Sequence, residues 1–557
     1  MSLQNVILTN NGFVYWTNSG TLYLANNAQI VNQLTFYING DAELNQLQGD
    51  TSTVFFTNTS LVIKNVGATN AGATTIRIPF YDTGSVEVAQ GTLQMNGGGS
   101  FNTWFASPGA AISFQSGNYT AQALAAFSGG GIFTLHDATL NLPQYAILAI
   151  ETLFNHSGGT IDGAGKIDIS GGLQAGTYQW NAGTISITNS VSAVFVEMGG
   201  VMTIQGANNA KNLLWGILVN NGIINWTNDN SSGGLYLGNQ AGIINLSSFN
   251  LQCDASMNDI STNTNSAPVF FNEQGALLAK TANTGTTTIG VRFHDAGAML
   301  AQAGTIELYN FVDTSLDPNL PLPTITMAGG KVQFDNNPAV HANISGSGEI
   351  ISRNGLLLSG GRLTVIAITL SGNATNDETF DLSAFGTLTH NGGNLTQTAN
   401  GILIIPLQST NAGGYGKVTS TGYVTLAGTL SASLVSGAAP PIGTVFPCLI
   451  CYERFNTFTR TNVPYDTTVS YTINGANVVV TNNAPALLGA IGQVTNTFNL
   501  SFAAVTNTPY TIQYTSNLVE WLPLTNFVAT QVTNTFIIRQ ETNVGLGLFR
   551  VAQGTNH

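Results

Sequence analysis

Short runs in which polar and apolar residues alternate, most of them opened by glycine, recur along the chain. Gly165-Lys166-Ile167-Asp168-Ile169, Gly183-Thr184-Ile185-Ser186-Ile187 and Gly304-Thr305-Ile306-Glu307-Leu308 share one phrase: Gly, polar, aliphatic, any residue, aliphatic. Alternation of this kind puts one set of side chains on each face of a half-buried strand. A sandwich does not need so many strands of nearly the same phrase. A parallel β-solenoid does, because each coil sets the same inward positions above those of the last. The pattern therefore predicts an all-β chain whose main body is a right-handed parallel β-helix. At roughly 20 residues per coil, residues 1 to 400 give on the order of 20 coils. At ~4.8 Å between strands, that is a rod about 100 Å long. Asparagines at the bends can take the left-handed conformation and hydrogen-bond to their equivalents one coil away. Only Ala121–Phe127 and the segment from Leu142 to Leu153 invite short helices.

A longer repeat overlies the short one. Ile7-Leu8-Thr9-Asn10-Asn11-Gly12 returns as Ile217-Leu218-Val219-Asn220-Asn221-Gly222, and Trp16-Thr17-Asn18 as Trp226-Thr227-Asn228, a shift of 217 − 7 = 210. Gly20–Leu24 answers to Gly233–Leu237, Phe55-Phe56 to Phe270-Phe271 at a shift of 215, and Phe80–Gly84 to Phe293–Gly297 at 213. Two related modules, about 5–98 and 215–312, thus lie within a β-helix spanning 1–390. Residues 391–482 read as its closing end and 485–557 as a small β-sandwich. The drift in offset marks insertions around Asn228–Gly233 and Asp254–Ser266, where contacts with a partner are expected.

Composition narrows the class. Only 7% of residues are charged and 63 are Gly, too few charges to clothe solvent-facing helices. Fourteen basic against 27 acidic residues give a net charge of −13. With no Lys/Arg cluster, the chain lacks what phosphate neutralisation requires, so no nucleic-acid partner is expected. No apolar run reaches ~18 residues, so no membrane insertion is expected. No basic and apolar leader follows Met1, so a signal peptide is not visible and its prior removal is one reading. Cys253, Cys448 and Cys451 cannot make a disulfide framework.

The phrases Thr286–Ile289, Gly304–Leu308 and Gly158–Ile167 resemble the passenger repeats of bacterial surface proteins with β-helical stalks. Gly393–Gly401, Gly422–Leu430, Ile442–Phe446 and Phe455–Phe458 are similar to the C-terminal end of pertactin-like autotransporter passengers. That resemblance implies a region which closes the β-helix and assists its folding, with no catalytic residues. The chain departs from the family after Ala484, where 557 − 484 = 73 residues leave no room for a membrane β-barrel. Tyr510–Ser516, Val519–Leu522 and Leu548–Val551 instead look like a fibronectin-type or immunoglobulin-type sandwich.

Candidate chemistry is sparse. Asp254 with Asp259, Asp377 and Glu378 with Asp381, and Asp229 are the nearest things to carboxylate clusters for acid/base work on polysaccharides. Asp377 and Glu378 are adjacent and would face opposite ways in a strand, so a solvated loop is the plainer reading. His136-Asp137 and His294-Asp295 lack a nucleophile motif, and His294 fills the slot of Tyr81 in the first module, which suits a coil-surface residue. Asp82 and Asp295 align, as bend residues bonding their own backbone would. Cys448-Leu449-Ile450-Cys451 lacks the second ligand pair of a zinc site and reads as two thiols, with a disulfide between them as the alternative. Trp16 and Trp226, and Tyr23 and Tyr236, occupy equivalent positions and serve the coil, whereas Trp104, Trp180, Trp215 and Trp521 have no such explanation and would suit sugar stacking if exposed. No catalytic, cofactor-binding or metal residue is assigned, and no cofactor.

These readings converge on an extracellular or cell-surface structural or adhesive protein that is not an enzyme. The repeat-like sequence begins at Ile7 with little room for a cap, which suggests head-to-tail or lateral self-association into filaments or a surface layer. Cell-surface glycans are the expected external partner. The alternatives are a polysaccharide-degrading β-helix lyase or hydrolase and a carbohydrate-binding stalk.

Overall fold

The computed structural model describes residues 1–557 except 18, 66–72, 172–174, 189–192, 228–232, 263–265, 314–320, 337, 412, 436–439, 465–466, 482–492, 495–496, 505, 508, 516–521, 532, 540–547 and 554–557. The chain is a parallel β-solenoid of about 17 turns, 62% strand, with a separate small sheet region near the C-terminus. Among the described residues there is no helix long and apolar enough to cross a membrane. The two stretches that invited helix are strands. Ala121–Phe127 lies inside Asn118–Gly129, and Leu142–Leu153 holds the end of Thr139–Leu142, a turn at 143–146, Ile147–Ile150 and the start of Leu153–His156. Their inward residues, among them Tyr119, Ala121, Leu140, Leu142, Leu148 and Ile150, are buried on a two-residue period, so pairing with the neighbouring coils overrides alanine's helix propensity.

The chain divides into two compact units, Met1–Asn336 and Asn337–His557. In the first, each coil contributes one strand to each of three parallel sheets. The first sheet runs through Leu22–Ala25, Glu43–Gln46, Ala73–Ile76 and Thr92–Met95. The second runs through Ile7–Asn10, Gln29–Asn32, Phe55–Asn58 and Phe80–Asp82. The third runs through Phe13–Trp16, Thr35–Ile38, Leu61–Lys64 and Ser85–Val88. Successive equivalents Asn10, Asn32, Asn58 and Asp82 are 22, 26 and 24 residues apart. These coils are longer than the roughly 20 residues expected, so the turns are fewer than the order of 20 anticipated.

The recurring phrase does what alternation predicts. Ile167, Ile169, Ile185, Ile187, Ile306 and Leu308 are all fully buried. Inward aromatics stack from coil to coil: Phe36, Phe56 and Phe80 follow one another at ring separations of 5.1 Å, and Phe249, Phe270 and Phe293 at 5.2 and 5.3 Å. Glycine marks the closest approaches. A Cβ on Gly97 would fall 2.0 Å from the Ile78 carbonyl oxygen, and Gly163 combines φ +116° with a would-be Cβ 2.1 Å from the Leu142 carbonyl oxygen.

In the second unit, parallel pairing continues through Arg362–Ser371, Thr387–Asn391 and Lys417–Ser420, beside a sheet of six short strands from Ala339–Val340 to Glu453–Phe455. Pairing turns antiparallel where Gly475–Val480 meets Val445–Ile450 and Thr467–Thr472. Farther on, two three-stranded antiparallel sheets share a core of Leu500, Phe502, Ala504, Tyr510, Ile512, Ala529 and Val551. Trp521 lies outside the described residues.

Candidate functional site

The polar residues with chemical capacity are concentrated at the corners of the coil. In the first module the Asn10 Nδ2 donates to Asn32 Oδ1 (2.6 Å), Asn32 Nδ2 to Asn58 Oδ1 (2.7 Å), and Asn58 Nδ2 to Asp82 Oδ1 (2.7 Å). In the second, Asn220 donates to Asn245 (2.7 Å), Asn245 to Asn272 (2.8 Å), and Asn272 to Asp295 (2.8 Å). Each amide also donates to a backbone carbonyl of the next coil, such as Thr35 O or Ser248 O. Every ladder amide points its donor the same way, so the last rung must accept, and an aspartate meets that demand. Asp82 and Asp295 also accept from the amides of Gly84 and Gly297, the bend bond anticipated for them. Burial raises both carboxyls above the ordinary range, Asp295 to about 6. The asparagines with left-handed backbone, including Asn26, Asn27, Asn239 and Asn283, are not the ladder ones, so the two properties expected of bend asparagines belong to different residues.

The ladders also fix the alignment of the modules. Asn58 and Asn272 are equivalent at 272 − 58 = 214, which sets buried Phe56 against buried Phe270. Pairing Phe55-Phe56 with Phe270-Phe271 at 215 is one residue out of register, and in a strand that slip exchanges inward for outward side chains.

A second pair of corner sites was missed by sequence reasoning. Lys64 and Lys280 are fully buried. Lys64 Nζ donates to Gly40 O (3.2 Å), Asp41 Oδ1 (3.0 Å) and Thr74 Oγ1 (2.9 Å). Lys280 Nζ donates to Cys253 O, Asp254 Oδ1 and Thr287 Oγ1, each at 2.9 Å. Asp41 with Asp254 and Thr74 with Thr287 align at 213, and that coincidence was the available signal. A buried ammonium needs such a complete set of acceptors.

The two modules are turned relative to one another. Ile7–Asn10 lies in the second sheet, but its counterpart Ile217–Asn220 pairs back through Val194–Val196, Lys166–Ile169 and Ile147–Ile150 to the third. Phe13–Trp16 lies in the third sheet, and its counterpart Ile223–Thr227 belongs to the first. The repeat is thus a whole number of coils plus one face. Most of what the modules share is inward or at corners, where Trp16 and Trp226, the ladders and the lysines are all buried; Tyr23 and Tyr236 are shared although both are half-buried on the outward side of their strands. Most of what faces out differs, as with Tyr15 against Asn225 and Tyr81 against His294.

The other candidates resolve individually. Asp254 belongs to the Lys280 site, Asp259 Oδ1 accepts from the Ser261 amide at 2.7 Å, and Asp229 lies outside the described residues. Asp381 is nearly buried and paired with Arg362, Asp377 accepts from Thr398 and Asn400, and Glu378 is exposed on the same bend. His136 and Asp137 pair at 2.9 Å, both exposed. His294 is half-buried and stacks on Phe271 at 4.7 Å. Cys448 and Cys451 are buried free thiols, and burial pushes Cys448 up to about 12. Trp104 and Trp180 are fully buried, and Trp104 Nε1 donates to Asp82 Oδ2 at 2.6 Å, sealing the first ladder; Trp215 is exposed. No group of three or more His, Cys, Asp or Glu suited to a metal occurs among the described residues. Of the insertion segments, 228–232 and 263–265 lie outside the described residues.

The outward faces differ in chemistry. The first sheet carries a register-matched column Gln94, Ser113, Thr134, Asn155, Gln179, Thr203, continuing to Asn225 and Asn250. The third shows exposed Phe13, Tyr15, Phe105 and Leu124. Comparison of the chain with protein-family profiles, curated proteins and solved structures finds no match in any of the three.

Proposed function

We propose that this chain is an extracellular structural or adhesive surface protein of the autotransporter-passenger type, in which the solenoid supplies rigidity and its outer faces make contacts. The observation that carries this reading is the turn of one face between modules. Inward and corner residues are kept although they lie over different sheets, while the outward residues mostly vary, Tyr23 and Tyr236 excepted, as expected if the repeat was retained for building coils rather than for one shared catalytic groove. The exposed Phe13, Tyr15 and Leu124 of the third sheet support lateral association, since burying an apolar face is the ordinary drive for it. Electron micrographs of purified protein, with light scattering over a wide concentration range, test the assembly. Filaments, sheets or a mass rising with concentration are expected, and a sharp monomer throughout refutes self-association.

A further inference from the structure

We propose that the outward face of the first sheet, from Thr92–Met95 to Ser248–Gln252, binds an uncharged, extended polysaccharide laid along the solenoid axis. The proposal rests on the adhesive part of the reading above and names its ligand.

Each strand of this stretch presents two outward polar positions, one within the strand and one at its last residue or just beyond it: Gln94 and Asn96, Gln179 and Asn181, Thr203 and Gln205 are examples. Over eight consecutive coils each of these positions is an amide or a hydroxyl, apart from His136. Two residues earlier on the same strands runs a less polar column that includes Ile132, Leu153, Val201 and Ile223. No Asp, Glu, Lys or Arg stands among these outward residues, although the third sheet carries Lys166 and Asp168 in the same region.

The stretch has ends. Before it stand Glu43 and Arg77, paired at 3.0 Å, and after it the polar column gives way to Ala279 and Leu300. A bounded feature of this length is not a by-product of overall composition.

Amides and hydroxyls both donate and accept, as the vicinal hydroxyls of a sugar do. Several of these groups already have partners: Gln115 donates to Ser113 at 2.6 Å, Asn250 to Asn225 at 2.9 Å and Asn181 to Asn155, while Gln94 accepts from Thr75 at 3.1 Å and Ser157 donates to the Leu135 carbonyl at 3.0 Å. An amide so engaged still has a second N–H or lone pair, and the side chains of Gln179, Thr203 and Gln205 lie at half-buried outward positions. The aliphatic members of the other column, the neighbours Ile132 and Leu153 and the neighbours Val201 and Ile223 on either side of Thr177, offer the C–H face of a sugar ring apolar patches. Coils stack at ~4.8 Å, close to the rise per sugar of an extended chain, so successive sugars meet equivalent groups. In a chain of net charge −13, a face whose outward positions carry no Lys or Arg, and which has exposed Asp137 beside His136, offers a polyanion no attraction, which points to a neutral ligand.

The test is affinity electrophoresis of the full chain through gels containing soluble glucomannan, xyloglucan or galactan, with pull-down on cellulose and chitin and with polygalacturonate as the acidic comparison. Retention by at least one neutral polymer and none by polygalacturonate is expected. The double variant Gln179→Ala/Gln205→Ala should weaken retention about tenfold, the loss of one or two hydrogen bonds. Thr160→Ala/Thr184→Ala, on the second sheet of the same coils, should not. Gln205→Glu provides an independent disruption should the double variant fail to fold. Absence of retention by every neutral polymer, preference for polygalacturonate, or equal loss in both double variants overturns the proposal. So does a first-sheet variant that changes the light-scattering mass without affecting glycan retention, which would make this face an interface between copies. Glycan binding and self-association have separate readouts, so either can fail alone.

Discussion

Replacing Asn32 tests the polarity of the corner ladder. Its Oδ1 accepts from Asn10, and its Nδ2 donates to Asn58 Oδ1 and to the carbonyls of Leu61 (3.0 Å) and Leu34 (3.2 Å). The residue has no solvent exposure, so water cannot replace these partners. Asn32→Leu strands several buried polar groups, at roughly 1–3 kcal/mol each. Asn10 keeps its bond to Thr35 O, so the sum is taken at the low end, about 3 kcal/mol. Asn32→Asp removes the donor as well and sets a carboxylate against three acceptors. Its loss should exceed that of Leu at pH 7 and shrink on acidification, when the protonated acid can donate to Asn58. Asp82→Asn should be milder, about 1–2 kcal/mol, because only the Trp104 Nε1–H loses its acceptor. Repeat arrays open locally, so the assay is hydrogen exchange by mass spectrometry across residues 5–98 rather than a global melt. Exchange about a hundredfold faster around Gln29–Asn32 and Phe55–Asn58 is expected for Asn32→Leu. Exchange within threefold of the parent, or Asn32→Asp no worse than Asp82→Asn at pH 7, would refute the argument.

Three further outcomes follow from the buried groups. Asp295, raised to about 6 from an ordinary 3.8, favours folding below pH 3.8 and loses that contribution as pH climbs through 6; His156, fully buried against Tyr178 and lowered from 6.5 to about 4, favours folding above pH 6.5 and loses its contribution as pH falls through 4. The two slopes oppose each other between pH 4 and 6, so Asp295→Asn should match the parent near pH 4 and exceed it by as much as about 3 kcal/mol at pH 7 in urea titrations; a gain independent of pH would contradict this. Lys280→Met leaves Asp254 without its ammonium and should cost about 2 kcal/mol, below the roughly 3–5 kcal/mol for breaking a fully buried pair because Asp254 is 37% exposed, read as faster exchange around Thr286–Asp295. Cys448 should resist thiol reagents at pH 8 until the second unit unfolds, and rapid labelling of the native protein would show that its burial is wrong.

Much of the architecture could be read directly. Alternating runs with a shared phrase require coils, and Ile185 and Ile187 fall inward as that phrase demands. Asparagine stacking was also legible, because a bend amide can both donate and accept between coils. The lysine sites were not. Lys64 and Lys280 run against the strong tendency of lysine to stay exposed, and the alignment of Asp41 with Asp254 and of Thr74 with Thr287 marks those positions as shared without showing that they close over a lysine. Ala121–Phe127 misled in the opposite direction, since local propensity yields within a twelve-residue strand that pairs with the coils on either side.

The sequence by itself determined that inward positions repeat, and hence that strands stack in parallel coils with few charges on their surface. Only the tertiary structure decided which outward residues share a face. Coil length varies by several residues from turn to turn, so sequence spacing cannot give the register, and register alone aligns Gln94 with Ser113 or turns Ile217–Asn220 onto a different sheet from Ile7–Asn10. Burial is encoded locally, by alternation. Surface composition is encoded by the sum of all the bends, and that sum exists only once the coil has closed.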